Sequence, residues 1–294
     1  MKIAIITQES HFPEDSLLVK AAQQNNHTCD LIDVKNIVMT FGGSPQDQGI
    51  FYLGKNLAEY DLVIIRFAFA SIKRLIGMIK YLRAKGVKVA DNDIENVGYN
   101  IDKARDMVLF SNANLPYPKS YSVENEDDFR DACMDLQFPV VAKAINTGKG
   151  KSVYMFQNME EVDDFILELN EKSLKIKNYI VQEFIPYKVD LRVLVIGKKV
   201  VGAMQRIPKE GDFRANYSRG GTVQMYPMTA EIHDIVLKAC AATRAGNAGV
   251  DLLLTDDKMY VLEVNRTPGI EGFATASGFD IAEMMLQDAL NNSF

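Results

Sequence analysis

The sequence predicts an α/β protein with an open parallel sheet at its N-terminus and antiparallel sheets beyond it. Over the first ~95 residues short apolar runs alternate with segments of helical apolar spacing, the pattern of a parallel α/β layer. Beyond Asp190 two long apolar strands, DLRVLVIG and KKVVGAMQRI, meet at Gly197-Lys198, a connection short enough to force antiparallel pairing. A length of 294 residues leaves room for two or three cores at roughly 100–200 residues per domain.

In chain order, Lys2–Thr7 reads as a buried strand. Pro13-Glu14-Asp15 supplies a first helical turn before Leu17, Leu18 and Ala21. Cys29–Val34 and Asp61–Phe67 read as strands, Ser71–Lys85 as a helix (Ile72, Leu75, Ile76, Ile79, Leu82) and Val87–Ala90 as a strand. The turn after the first strand, QESHFPED, has no glycine, so a pyrophosphate cannot approach its backbone and a dinucleotide site there is rejected. After Asp91 come helices Asp102–Ala113 and Glu126–Leu136, a strand Pro139–Ile145, a Gly/Lys loop Asn146–Lys151 and a strand Ser152–Phe156. A helix Met159–Glu171 and a strand Tyr179–Phe184 complete this region. The two strands beyond Asp190 lead into a polar loop, Pro208–Thr222, a helix, Thr229–Ala245, and a hairpin, GVDLLLTDDKMYVLEVN.

The 33 basic and 39 acidic residues leave a net charge of −6, which argues against nucleic acid as a partner, since that footprint is a basic domain. An anionic ligand must then be held by a local cationic cluster. No disulfide framework or zinc spacing can be read from Cys29, Cys133 and Cys240, and such sparse usage fits a reducing cytosol. The opening MKIAIITQES turns polar after about five apolar residues, short of a signal-peptide core, and no run approaches the ~18 apolar residues of a membrane span. A soluble cytoplasmic protein with no membrane association is expected.

Candidate chemistry starts at AKAINTGKGKS (142–152). It looks like a P-loop, but position 145 is isoleucine where that motif needs glycine, and the loop leads into the strand SVYMF instead of a helix. What remains is a Gly148/Gly150 loop with Lys143, Lys149 and Lys151 around it. Glycines let backbone N–H groups close over phosphates and lysines supply point charge, although a solvated hairpin turn has the same composition. In YVLEVNRTPG, Glu263 and Asn265 are two apart and share a strand face, with Leu262 and Val264 on the other. If the two strands pair, Asp251 lies near Glu263, but a slip of one residue turns it away. Such oxygen ligands suit magnesium held jointly with phosphate, and equally a strand with a polar solvent side. KEGDFRANYSRGGT (209–222), with Arg206 just upstream, gathers Lys209, Arg214, Arg219 and Asn216 before Gly220-Gly221. Arginine forks match carboxylates and phosphates, while an exposed loop is the plain alternative.

Together DLRVLVIGKKVVGAM, RIPKEGDFRANYSRGGT, AGVDLL and YVLEVNRTPGIEGF, in that order, resemble the ATP-grasp ligases, and among them the RimK-like group that adds glutamate or related amino acids to a C-terminal carboxyl group. The resemblance implies an N-terminal α/β domain (1–97), a central ATP-grasp subdomain (98–186) and a C-terminal subdomain with a metal site (187–294), with ATP gripped between the last two. Carried over residue by residue, Lys103 and Lys143 look like phosphate-contacting lysines, and Thr147, Gly148 and Gly150 like the lid over the phosphates. Glu183 and Phe184 match the adenine hinge, Asp190 a further nucleotide contact, and Arg214, Ala215 and Asn216 a segment reaching the phosphates. Asp251, Glu263 and Asn265 look like ligands for two magnesium ions, which manganese can replace. The implied reaction phosphorylates a carboxylate and lets an amine attack the acyl phosphate, with Arg214 offsetting charge and Arg192 or Arg219 holding the tetrahedral oxyanion. Implied partners are an amino-acid donor and a carboxylate acceptor, either a protein C-terminus or a small peptide. A ligase with a small-molecule acceptor and a non-catalytic Mg-ATP sensor of the same fold stay as alternatives, and a homo-oligomer is allowed.

Overall fold

The apolar alternation of the first hundred residues does build a parallel sheet, but with an insertion. In the computed structural model, which describes residues 1–8, 13–44, 47–68, 71–97, 102–145, 152–208 and 221–291, the chain opens with β1 (Lys2–Thr7), α1 (Pro13–Gln24) and β2 (Thr28–Asp33). The insertion comes directly after β2. It is a small antiparallel sheet, β3 (Ile37–Thr40), β4 (Gly49–Tyr52) and β5 (Lys55–Asn56), which the sequence reading did not place. Then β6 (Leu62–Ile65), α2 (Ile72–Ala84) and β7 (Lys88–Ala90) complete a parallel sheet in the order β2-β1-β6-β7. Its alternate residues fill two cores: Ala4, Ile6, Val63 and Ile65 pack with α2 and the small sheet, while Ile3, Ile5, Leu62 and Ile64 pack with α1.

A short helix, α3 (Ile94–Val97), precedes α4 (Lys103–Asn112), whose N-cap Asp102 accepts a hydrogen bond from the Arg105 N–H at 2.8 Å. The second sheet is antiparallel: β8 (Ser120–Ser122), β9 (Val140–Ala144), β10 (Val153–Phe156) and β11 (Tyr179–Glu183), in the order β10-β9-β11-β8. Helices α5 (Glu126–Leu136) and α6 (Met159–Glu171) cover one face through Phe129, Phe165 and Val162 against Val140, Ala142 and Val181. The intervening residues Lys143 and Gln182 therefore occupy the opposite face.

The third sheet runs β14 (Thr222–Tyr226), β13 (Lys199–Ile207), β12 (Val189–Ile196), β15 (Ala248–Leu254) and β16 (Met259–Asn265), antiparallel throughout. Helix α7 (Ala230–Thr243) packs on Leu191, Val193, Val195, Val250 and Leu252. On the other face Leu194, Ile196 and Met204 join Phe273 of α8 (Glu271–Ser277), Met285 and Leu286 of α9 (Ile281–Asn291) and the N-terminal sheet residues Ile3 and Ile5 in one core. The two C-terminal helices and β14, which starts inside the stretch read as a loop, are additions to the predicted elements. No helix among the described residues is long and apolar enough to cross a membrane.

Phe129 is fully buried in the core of the second sheet. Phe129→Ala is expected to lower stability by about 3–5 kcal/mol, read as a reduced urea midpoint at unchanged slope.

Candidate functional site

Charged side chains occupy the half of the third sheet's face that α8 and α9 do not fill. Register places Met204, Arg192, Asp251 and Glu263 as successive partners across β13, β12, β15 and β16, with Arg206 opposite Asp190 in the next row. Arg192 donates from Nε and Nη2 to Asp251 Oδ1 and Oδ2, both at 2.8 Å. Arg206 donates from Nε to Asp190 Oδ1 at 2.6 Å and from Nη1 to Asp251 Oδ2 at 3.0 Å. Asp190, Arg206 and Asp251 are all buried, so each charge depends on its partners. Gly249 makes this packing possible, because a Cβ there would lie 3.0 Å from Pro268 Cβ and 3.3 Å from Arg192 Cδ. Burial raises the Asp190 carboxyl to about 6 against the pull of Arg206. Burial acts on Asp251 in the same direction, but Arg192 and Arg206 outweigh it and hold that carboxyl below its ordinary value.

Two expectations change here. Arg206, on the predicted strand β13, does not join the cations of the following loop: its guanidinium is taken up by Asp190 and Asp251. Leu262 does not share the core with Val264, because a bulge between Asp251 and Leu252 leaves Leu262 without a partner, and Val261 takes the buried position opposite Leu252. The bulge sits immediately beside the Asp251–Glu263 pair, which is how Leu262 and Glu263 both reach the cleft.

That cleft lies between the second and third sheets and is lined by Lys103, Phe110, Tyr117, Gln182, Leu262 and Glu263 among others. Lys143 donates to Gln182 Oε1 at 2.5 Å, and Gln182 Nε2 donates to Ser120 Oγ at 2.7 Å. Lys103 opens α4, its N–H directed to Ile145 O at 3.4 Å and its Nζ 3.8 Å from Glu263 Oε2. Burial pushes the Lys143 ammonium down to about 8; Glu263 opposes this and Lys103 reinforces it. Asp106, one turn along α4, also lines the cleft, and burial raises its carboxyl to about 7. Glu183 ends β11 with its Oε1 accepting from the Lys119 N–H at 2.6 Å, and the half-buried Phe184 follows. Asn265 Oδ1 accepts from the Thr267 N–H at 3.0 Å.

The fold thus brings Lys103, Lys143, Asp190, Arg192, Asp251, Glu263 and Asn265 to one region. Thr147, Gly148, Gly150, Arg214, Ala215, Asn216 and Arg219 lie outside the described residues. Sequence reasoning missed Gln182 and Asp106. Strand alternation in YIVQEF was the available signal for the first, and an acid on an amphipathic helix gave none for the second. Among the described residues no three His, Cys, Asp or Glu side chains could hold an ion alone. Two carboxylates and an amide oxygen on neighbouring strands are the donor types that suit an ion sharing its ligands with an anion, with Asp251 already accepting from Arg192 and Arg206 and Asn265 from the Thr267 N–H. With two lysines facing them, the arrangement suits a polyanion carrying a divalent cation.

Comparison with known proteins shows the family and the fold. The RimK-like ATP-grasp domain family matches residues 100–289, and the RimK PreATP-grasp domain family matches residues 1–92. A Marinomonas sp. (strain MWYL1) protein named "Probable alpha-L-glutamate ligase" is 30% identical over 298 residues, covering 100% of this chain and 97% of that protein. Among solved structures, the ATP-grasp ligase PsnB, complexed with a phosphomimetic variant of its minimal precursor, Mg and ADP, superposes with a TM-score of 0.72 at 17% identity, over 99% of this chain and 98% of that one. The macrocyclase MdnC from Microcystis aeruginosa MRC, bound with precursor peptide MdnA, gives 0.71 at 17% identity over 99% and 100%. At such identities the structures show a common fold.

Replacing Arg206 by methionine leaves Asp190 without its guanidinium and Asp251 with one fewer, and is expected to cost about 3–5 kcal/mol at pH 7. Asp190 titrates higher in the folded protein than in the unfolded chain, so its protonation adds stability as the pH falls from about 6 toward its ordinary 3.8. Urea unfolding across that window should show the wild type gaining on the order of 2 kcal/mol relative to Asp190→Asn.

Proposed function

This chain belongs to the RimK-like ATP-grasp family, and from that membership we propose an ADP-forming ligase that binds ATP between the second and third sheets and adds glutamate to the C-terminal carboxylate of a protein or peptide. The observation that carries the reading is Lys143 and Lys103 facing the Asp251–Glu263 row across one cleft. The glutamate donor is supported by the name of the Marinomonas relative, and a peptide acceptor by the peptides bound to PsnB and MdnC.

In this reading Lys143 and Lys103 neutralise phosphate oxygens, and a bound polyanion restores the full charge of Lys143 that burial weakens. Thr147, Gly148 and Gly150 close over the phosphates, Glu183 and Phe184 receive adenine, and Asp190 with Arg214, Ala215 and Asn216 completes the nucleotide contacts. Asp251, Glu263 and Asn265 would hold magnesium, which when bound supplies neutralisation of phosphate charge. The acceptor carboxylate attacks the γ-phosphorus and releases ADP; the donor amine then displaces phosphate from the acyl phosphate to form the amide. Arg192, immobilised by both oxygens of Asp251, is the preorganised donor for the tetrahedral oxyanion, with Arg219 the alternative. The three-part division at residues 97/98 and 186/187 belongs to the same reading.

The test is an acceptor screen. With Mg-ATP and glutamate, ADP and phosphate should appear only when a peptide with a free C-terminal carboxylate is added, and hydroxylamine should trap a hydroxamate from that peptide when glutamate is omitted. AMP formation refutes the mechanism, and turnover with small acids alone supports a small-molecule acceptor. Glu263→Ala should abolish turnover while the melting temperature stays within a few degrees, because Glu263 is half-exposed and its carboxylate lies 3.8 Å from Lys103. Full activity in that variant would remove Glu263 from the site.

A further inference from the structure

The hairpin that carries Asp251, Glu263 and Asn265 is held at its open end by a residue from outside it. Asn92, just past β7 of the N-terminal sheet, donates from Nδ2 to Asn247 O at 2.7 Å and to Arg266 O at 2.8 Å. Its Oδ1 accepts from the N–H groups of Gly246 and Asn247, each at 2.7 Å. The amide therefore uses both donors and two acceptor positions, its full capacity, and it is buried. Asn247 immediately precedes β15 and Arg266 immediately follows β16, so one side chain bridges the two free ends of the hairpin. Arg266 replies with Nη1, which donates to Asn92 O at 2.9 Å. Asn92 and Asp93 both adopt left-handed backbone conformations (φ 56° and 62°), tolerated by Asn and Asp but costing free energy that the contacts must offset. Arg66, at the end of β6, adds a second support by donating to Pro268 O at 3.3 Å.

We propose that Asn92 is a positioning residue for the reaction: by clamping Asn247 to Arg266 it fixes the register of the hairpin's open end and so the presentation of Glu263 and Asn265. The need for an outside clamp arises from the bulge beside Asp251, which interrupts the ladder between the hairpin's turn and the end that bears Glu263. Only the two pairs Val250–Val264 and Gly249–Asn265 lie beyond Glu263 toward the open end, and Gly249 has no side chain to pack. The inference rests on the proposed metal-ligand role of Glu263 and Asn265.

Asn92→Gly tests it, because glycine keeps the left-handed backbone without strain and removes only the amide. Asn92→Asp keeps the acceptor and removes both donors. In the full-length, metal-free protein, hydrogen exchange in peptides covering 246–251 and 262–268 should quicken by about tenfold or more in both variants, with 252–260 unchanged. Mn²⁺ binding to the protein–ADP complex, measured by EPR of free Mn²⁺, should weaken by roughly tenfold, a change of about 1.4 kcal/mol. Arg244→Gln breaks the neighbouring ion pair to Asp93 (2.7 Å) without touching the clamp and should leave Mn²⁺ affinity within twofold of wild type. The proposal is overturned if exchange is unchanged, if exchange quickens while Mn²⁺ affinity stays within twofold, or if Arg244→Gln weakens Mn²⁺ binding as much as Asn92→Gly. Wild-type protein that binds Mn²⁺ with ADP yet makes no glutamate-dependent ADP sinks the ligase reading and leaves the clamp standing; failure of the wild type to bind Mn²⁺ with ADP overturns both.

Discussion

A buried carboxylate stays charged only with a partner, and the site is organised around that constraint at Asp251. Its oxygens receive three guanidinium hydrogen bonds from Arg192 and Arg206, and Arg206 also serves Asp190. Buried ion pairs add little net stability, but losing one partner is expensive, so the network specifies arrangement more than it stabilises. Arg192 and Asp251 are direct partners on adjacent strands, and a slip of one residue would turn Asp251 into the core of Leu191, Val193 and Val250. With that register set, Glu263 is next in the row, and Lys103 of α4 lies 3.8 Å from its carboxylate.

The two sides of the cleft are electrostatically unlike. On one, Lys103 and Lys143 stand close enough to depress the Lys143 ammonium, which burial has already weakened. On the other, arginines offset Asp190 and Asp251, so the acidic row does not repel an incoming anion as its composition suggests. A polyanion with a divalent cation satisfies both sides at once. Neither sheet supplies such a site alone: β9 and β11 hold Lys143 and Gln182, while β12, β13, β15 and β16 hold the acids and arginines.

The N-terminal unit is tied to this site in two ways. Its sheet residues Ile3 and Ile5 share a core with α9 and with Leu194 and Ile196 of β12, which places the strand ends of β6 and β7 against the loop after Asn265. Arg66 and Asn92 then contact that loop by hydrogen bonds. A parallel sheet without a glycine-rich turn thereby touches the segment after β16 through hydrogen bonds to its backbone, and the loop Arg266–Gly269 belongs structurally to both units.

Elements with strong local signals, and the chemistry of the residues, could be read along the chain. Apolar runs placed β1, β9, β12, β13 and the β15–β16 hairpin, and helices were read at α2, α5 and α6, because these patterns are properties of near neighbours along the chain. The sequence also supplied the carboxylates, amide and lysines that the cleft assembles. The strands β3, β4, β5 and β8 were not placed from the sequence, whereas β6, β7 and β10, no longer than β3 and β4 or β8, were. Packing alone set that Leu262 bulges out, that Arg206 pairs with Asp190 and Arg192 with Asp251, and that Asn92 holds the hairpin's open end. The partners in those contacts are 16 residues apart for Arg206 and Asp190, 59 for Arg192 and Asp251, and 174 for Asn92 and Arg266. Their pairing is set by loss of water around buried polar groups, which no local pattern encodes and which exists only once the sheets have packed.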